Sequence, residues 1–345
     1  MQPSAIRLTF KPESPSLRYS IAVLLALSLP PANAGAIPRG SVRRSGYCHY
    51  LLGNRDLAYR GRMDNRAEVR EFLVSRRARI RPEQAGLPAY GGNRRVKGLR
   101  REEVAMLAGM SIDYYVRLER GNLAGASDLA LEGIAQALQL DDAERTHLFA
   151  LARAAGPVGK RKPAPATVPA SVQLVLDAIS DAPAWVRNAR HDLLATNRLA
   201  RALYAPLLAD PRRPANNARF VYLDPAARDF FQHWERTADD IAAMLRSEAG
   251  RNPHDQKLIE LIGELSTRSA DFRVRWAAHD VRFHRTGIKY LRHPVVGKLD
   301  LTFEAMEFPA HPGLTLLLYT APAGTPTADS LALLATWAAT AVHPE

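Results

Sequence analysis

Residues 98–121 read GLRREEVAMLAGMSIDYYVRLERG, and their spacing predicts two short helices joined by a tight turn. The first covers about 101–108, where Val104, Leu107 and Ala108 recur at helical intervals. Gly109 falls where the turn needs a residue free to take positive φ. Ser111 is a suitable N-cap for the second helix, and Asp113 adds negative charge to its first turn. That helix carries Tyr115 and Leu118 on its inner face and stops at Gly121. If residues 104, 107, 115 and 118 meet, Asp113, Tyr114 and Arg117 point outward. This is the geometry of a helix-turn-helix, whose second helix enters the major groove of DNA. The competing reading of the same pattern is an ordinary helical hairpin inside a helical core.

Charge distribution separates the two readings. The chain has 345 residues and a formal net charge of +12. Residues 163–345 carry twenty basic and twenty acidic residues, so they exert no net pull on nucleic acid. Between residues 76 and 101 there are nine basic residues and one acid, Glu83. A basic flank beside a recognition helix is what phosphate neutralisation requires.

LRREEVAMLAG followed by SIDYYVRLERG resembles the DNA-binding domain of XRE-type (lambda-repressor-like) bacterial regulators, in particular those with a C-terminal MmyB-like ligand-binding domain. The resemblance extends through residues 183–338, where WVRNARHDLLATN, the RW..HDV stretch, GIKYLRHPVVGKLDL and LLLYTAP stand in that family's order. It implies a transcription regulator that binds a double-stranded operator as a homodimer in the cytoplasm. It also implies a fatty-acid-like ligand and no cofactor.

The chain divides at composition breaks. Residues 1–62 contain a short apolar run, 21–29, that imitates a secretory signal but is too short to span a bilayer. Met63 stands directly before an amphipathic helix, so 1–62 is expected to be a misannotated or disordered extension. Residues 63–156 form the DNA-binding domain. Its first helix, 65–80, turns Phe72, Leu73 and Ile80 inward. A Gly- and Pro-rich loop follows over 82–98. Two further helices, 127–140 and 141–154, close the domain and are candidates for pairing two copies. Residues 157–169 read as an extended linker, and 170–343 as the ligand-binding domain. Cys48 is the single cysteine, so no intrachain disulfide is possible.

Beyond the linker, 182–197 reads as a β-hairpin turning at Asn188-Ala189-Arg190. Residues 225–249 read as one helix with Phe230, Phe231, Trp234, Ile241, Met244 and Leu245 inward. Two more helices cover 253–267 and 269–283, the second carrying Phe272, Trp276 and Phe283. After Gly287 the period changes to two, giving three antiparallel strands and a closing helix at 327–340. The expected fold is an all-α helix-turn-helix N-terminal domain plus an α+β, PAS-like C-terminal domain with a five-stranded antiparallel sheet and helices on one face.

The sequence contains no nucleophile elbow, Walker loop, HExxH or dinucleotide fingerprint. His279 and His284 are five apart and do not share a helix face as a metal pair would. No catalytic or metal residue is therefore expected. Candidate DNA contacts are Arg94, Arg95, Lys97 and Arg100 along phosphates, Arg101 on a phosphate or an adjacent guanine, and Ser111, Ile112, Asp113, Tyr114 and Arg117 at the groove. Arg117 is the best base reader, because a guanidinium bonds guanine O6 and N7 together. Candidate ligand contacts are the aromatics Trp185, Phe231 and Trp276, with His279, Arg282 and His293 flanking a carboxylate or serving structural roles. Two alternatives stand beside the regulator: a soluble enzyme with a helical appendage, and a regulator whose C-terminal domain only dimerises or binds protein.

Overall fold

A computed structural model describes residues 65–88, 96–156 and 167–340. The expectations for residues 1–62 and Met63, for Arg94 and Arg95, and for the linker at 157–166 fall outside the described residues.

Five helices form the N-terminal domain: α1 (Asn65–Arg79), α2 (Arg101–Leu107), α3 (Ile112–Glu119), α4 (Asp128–Ala137) and α5 (Asp142–Ala155). Val69, Phe72 and Leu73 of α1, Val104 of α2, Tyr115 and Leu118 of α3, Leu131 and Ile134 of α4, and Leu148 and Leu151 of α5 share one buried core. Leu107 departs from expectation: it is 36% exposed, and Ala105 fills the inner place beside Val104. Three helices start on side-chain caps. Ser111 Oγ accepts from Tyr114 N–H, Ser127 Oγ from Ala130 N–H, and Asp141 Oδ1 from Glu144 N–H. Gly109 takes φ 65° in the turn between α2 and α3, the left-handed conformation that favours glycine.

In the C-terminal domain, α6 (Ala170–Ala178) precedes the hairpin β1 (Ala184–Asn188) and β2 (Leu193–Thr196). Helices α7 (Arg198–Leu203), α8 (Ala205–Leu208), α9 (Asn217–Leu223), α10 (Ala226–Phe230), α11 (Trp234–Arg251), α12 (Gln256–Arg268) and α13 (Ala270–Ala277) follow. The chain ends with β3 (Thr286–His293), β4 (Gly297–Glu307), β5 (Leu314–Thr320) and α14 (Pro326–Thr340). The strands make one five-stranded antiparallel sheet in the order β2-β1-β5-β4-β3, so the domain is α+β as expected. Period two sorts the central strands. Trp185, Leu317 and Tyr319 face the large core beneath the helices, while Ala184, Val186, Leu314 and Leu316 face Val172 and Leu176 of α6. Helices therefore cover both faces, not one: α6 lies on the side opposite the main helical layer.

Two predicted helices are shorter than their periodicity suggested. The helix expected over 225–249 breaks at Phe231, which takes extended φ/ψ and bridges Leu291. Gln232 N–H also donates to the Tyr290 carbonyl. The break thus satisfies the free edge of β3. The helix expected over 269–283 ends at Ala277, and Phe283 is 39% exposed. The backbone is drawn away there by the N-terminal domain: Arg76 and Arg79 donate to the carbonyls of His279 and Ala278, and His279 takes φ 54°. Val281 is buried in the core of the N-terminal domain.

Candidate nucleic-acid interface and ligand cavity

On α3, Ser111, Ile112, Asp113 and Arg117 are exposed and Tyr114 is half-buried. The Arg117 guanidinium rests over the Tyr114 ring, 4.9 Å from its centroid. That stacking aims a charged fork outward without tying it to a carboxylate. Ile112 is 50% exposed, an apolar group at the leading end of the helix. Lys97 and Arg100 are exposed beside it, and Arg100 sits 3.4 Å from Glu102.

The helix is held from behind by Glu119, which is 1% exposed. Arg77 Nε reaches its Oε1 at 2.6 Å, Arg101 Nε bonds its Oε2, and Tyr115 Oη donates to Oε1 at 3.3 Å. Burial, and then the Glu119 charge, push the Tyr115 phenol well above its ordinary value, so it remains a donor. Arg101 therefore spends its Nε inside the protein. Only the outer nitrogens of this half-exposed side chain remain for other contacts.

The linker is not the only connection between the domains. Arg246 of α11, 1% exposed, bonds Glu68 of α1 and the Trp276 carbonyl, with its guanidinium 4.0 Å above the Trp276 ring. Arg76 is 2.8 Å from Glu144 and donates to the His279 carbonyl; Arg79 bonds Asp280. His147 of α5 packs edge-on against Phe72 and lies over Gly250, where an added Cβ would collide with its ring. The outer face of α5, expected to pair two copies, is taken by the chain's own α11. Glu68 is buried, which disfavours its charge, but His147, His279 and Arg246 together hold its carboxyl well below the usual range. Glu68, Glu71 and His279 bring metal-ligating atoms within 4.8 Å of one another. Arg246 already occupies the Glu68 oxygen, so the group works as an ion-pair junction.

Of the six candidate ligand contacts, Trp185 and Phe231 line a cavity between the sheet and α11. The other four stand elsewhere. Trp276 stacks on Phe272 and lies beneath Arg246. His279 pairs with Glu71 at the domain junction, 3.2 Å away. Arg282 is half-exposed and 3.6 Å from Asp240. His293 caps backbone: Nδ1 accepts from Val295 N–H and Nε2 donates to the Ala202 carbonyl. The cavity adds residues the sequence did not single out, among them Arg187, His191, Asn217, His284 and Lys289. Period two carried a usable signal for two of them. Arg187 is two residues from Trp185 on β1, and Lys289 two from Leu291 on β3, so each belongs to the inward set of its strand. Helix α11 lines the cavity with Thr237, Ile241 and Met244 and sends Arg246 to the other domain.

Among the described residues no helix is long and apolar enough to cross a membrane. Residues 74–148 match a helix-turn-helix domain family, and residues 168–334 match the family described as MmyB-like transcription regulator ligand binding domain. No curated protein matches the chain. The chain joins a helix-turn-helix domain to an MmyB-like ligand-binding domain, the pairing of a DNA-binding transcription regulator.

Proposed function

We propose that this regulator reads a specific operator with α3 and that ligand occupancy of its C-terminal domain sets how well it does so. The observation that carries the reading is the arrangement around α3. Its outer residues are free while its inner end is clamped by the buried Glu119, so a rigid helix presents Arg117 to the groove. Arg117 reads a guanine; Ile112, Asp113 and Tyr114 shape the surrounding contact; Ser111, Lys97, Arg100 and Arg101 follow the phosphates. Arg94 and Arg95 belong to the same basic run in the sequence.

One helix-turn-helix covers only a few base pairs, so useful affinity calls for two copies on a two-fold site, with half-site centres about 34 Å or a multiple apart. A protein reading chromosomal DNA in this way works in the cytoplasm. The ligand signal has a direct route. A slack linker would transmit only changes in dimerisation, but α11 touches the cavity with one face and α1 and α5 with the other. A ligand that favours one position of α11 can therefore bias the helix-turn-helix domain itself. The junction uses α1 and α5 and leaves α3 uncovered, so the docked form is competent for DNA.

The test is operator selection from random duplexes, then titration at fixed salt. Arg117→Ala is expected to cost about 1–3 kcal/mol and relax one base position. Unchanged affinity and sequence preference would remove Arg117 from the recognition set.

A further inference from the structure

Three arginines are almost wholly buried in the described residues: Arg76, Arg246 and Arg187. Two have carboxylate partners, Glu144 and Glu68. Arg187 has none. Its contacts are the Asn188 carbonyl at 3.3 Å and Met244 Sδ at 3.8 Å, and no ion pair is formed at it. A buried charge is ordinarily paired, because leaving it unpaired is strongly destabilising. The surface depression around Phe220 makes the contrast: Arg212 and Arg219 line it, and both are paired, to Asp210 and Glu264.

The fold aims Arg187 into the cavity. β1 pairs regularly with β5 from Ala184 to Asn188, so the period of two points Arg187 to the same side as Trp185. Burial lowers the Arg187 guanidinium to about 10, which leaves it charged at neutral pH. Burial first lowers both His191 and His284, followed by Arg187 at His191 and by Lys289 and then Arg187 at His284, so both rings are neutral and can donate. His191 is held at φ 66° in the hairpin turn with its ring 1% exposed and Nε2 without a partner. Asn217 Oδ1 is also unpartnered, and Lys289 enters from β3, 3.8 Å from Asp240.

Apolar surfaces complete the cavity: Trp185, Phe231, Ile241 and Leu317. Its void is small, about 20 Å³, so an occupant larger than water enters only as the side chains of the wall move aside. Arg187, Lys289 and Asn217 share the wall with the apolar groups, so a long alkyl chain would press its methylenes onto them. That counts against a long-chain form of the fatty-acid-like ligand the family resemblance implies. A short ligand with one anionic end and a flat or compact apolar body matches the wall on both counts.

We infer that the effector is a compact organic acid, aromatic or short-chain, whose carboxylate docks on Arg187 with Lys289 and His191 beside it and whose body lies among Trp185, Phe231 and Ile241. The inference rests on the regulator reading above and narrows its ligand. Arg187 gives the carboxylate a two-pronged partner, and the acid supplies the missing counter-charge.

The experiment uses the full chain and measures thermal shift and calorimetric binding with benzoate, salicylate, indole-3-acetate and hexanoate. Benzamide and tetradecanoate are the controls. At least one compact acid is expected to bind and raise the melting temperature, at least 10-fold more tightly than benzamide or tetradecanoate. Arg187→Gln is expected to weaken that acid at least 10-fold while melting no lower than the parent without ligand, since it removes an unpaired buried charge. Lys289→Met should weaken the same acid by a smaller factor. The inference is overturned if no compact acid binds, if acid and amide bind alike, if only tetradecanoate binds, or if Arg187→Gln binds as the parent does. An Arg187→Gln protein that melts well below the parent shows a structural arginine and overturns it too. Operator titration without added acid tests the DNA-binding reading separately: failed acid binding with intact operator selection removes only the ligand assignment.

Discussion

Arg246 on α11 and Glu68 on α1, 178 residues apart in the chain, form a buried ion pair that locks the DNA-binding domain onto the ligand-binding domain. Both groups leave water, so their attraction is largely offset by desolvation, and removing one partner is worse than removing both. Glu68→Gln strands the Arg246 charge and is expected to destabilise the protein by about 3–5 kcal/mol. The double replacement Glu68→Leu with Arg246→Leu should recover much of that loss. Urea unfolding of the parent, both single variants and the double variant measures the coupling; additive losses would contradict the pair.

The Glu119 clamp behaves in the same way within one domain. A surface bridge contributes ~0–1 kcal/mol. Glu119 is instead buried beneath Arg77, Arg101 and Tyr115. Glu119→Ala leaves three donors without an acceptor and is expected to cost about 3 kcal/mol. A melting curve matching the parent's would show that the clamp does not hold α3.

Stability should fall on mild acidification. His147, His191, His284 and His293 are held below the ordinary histidine range, in each case chiefly by burial. Below about pH 6.5 the unfolded chain takes up protons that the folded chain refuses. The folded state is thus fully favoured above that pH and loses about 1.4 kcal/mol per pH unit for each histidine that stays neutral. Glu68 extends the loss at lower pH: its contribution is present above about pH 4.3 and disappears as pH falls through its depressed folded value. Urea unfolding at pH 7.5, 6.5 and 5.5 checks this, and equal stabilities at the three values would contradict it.

Much of the N-terminal domain was legible because its signals are local. The Ser111 cap, Gly109 and the 115/118 spacing lie within a few residues of one another, and the structure keeps all three. The long-range tie of α3 to α1 is less local: Arg77 is the partner of Glu119, while Arg76 is directed to Glu144. The cavity was less legible. Trp185 and Phe231 announce a core, but Arg187 and Lys289 look like surface charges until the pleat of their strands places them inward. The domain junction left no local trace, since Arg246 and Glu68 meet only in three dimensions. That junction also explains where periodicity failed: 278–283 is helical in pattern but its backbone is pulled onto Arg76 and Arg79.

The direct test of the account is operator affinity when the junction is broken. Arg246→Met removes the charged link from α11 while retaining apolar bulk over Trp276. Titration on the selected operator, at one salt concentration and at protein concentrations where sedimentation shows the same oligomer for both proteins, isolates the coupling. The account predicts that affinity changes by about 5–150-fold, the range of a coupling of ~1–3 kcal/mol. An operator affinity equal to the parent's, with folding intact, would contradict transmission through α11.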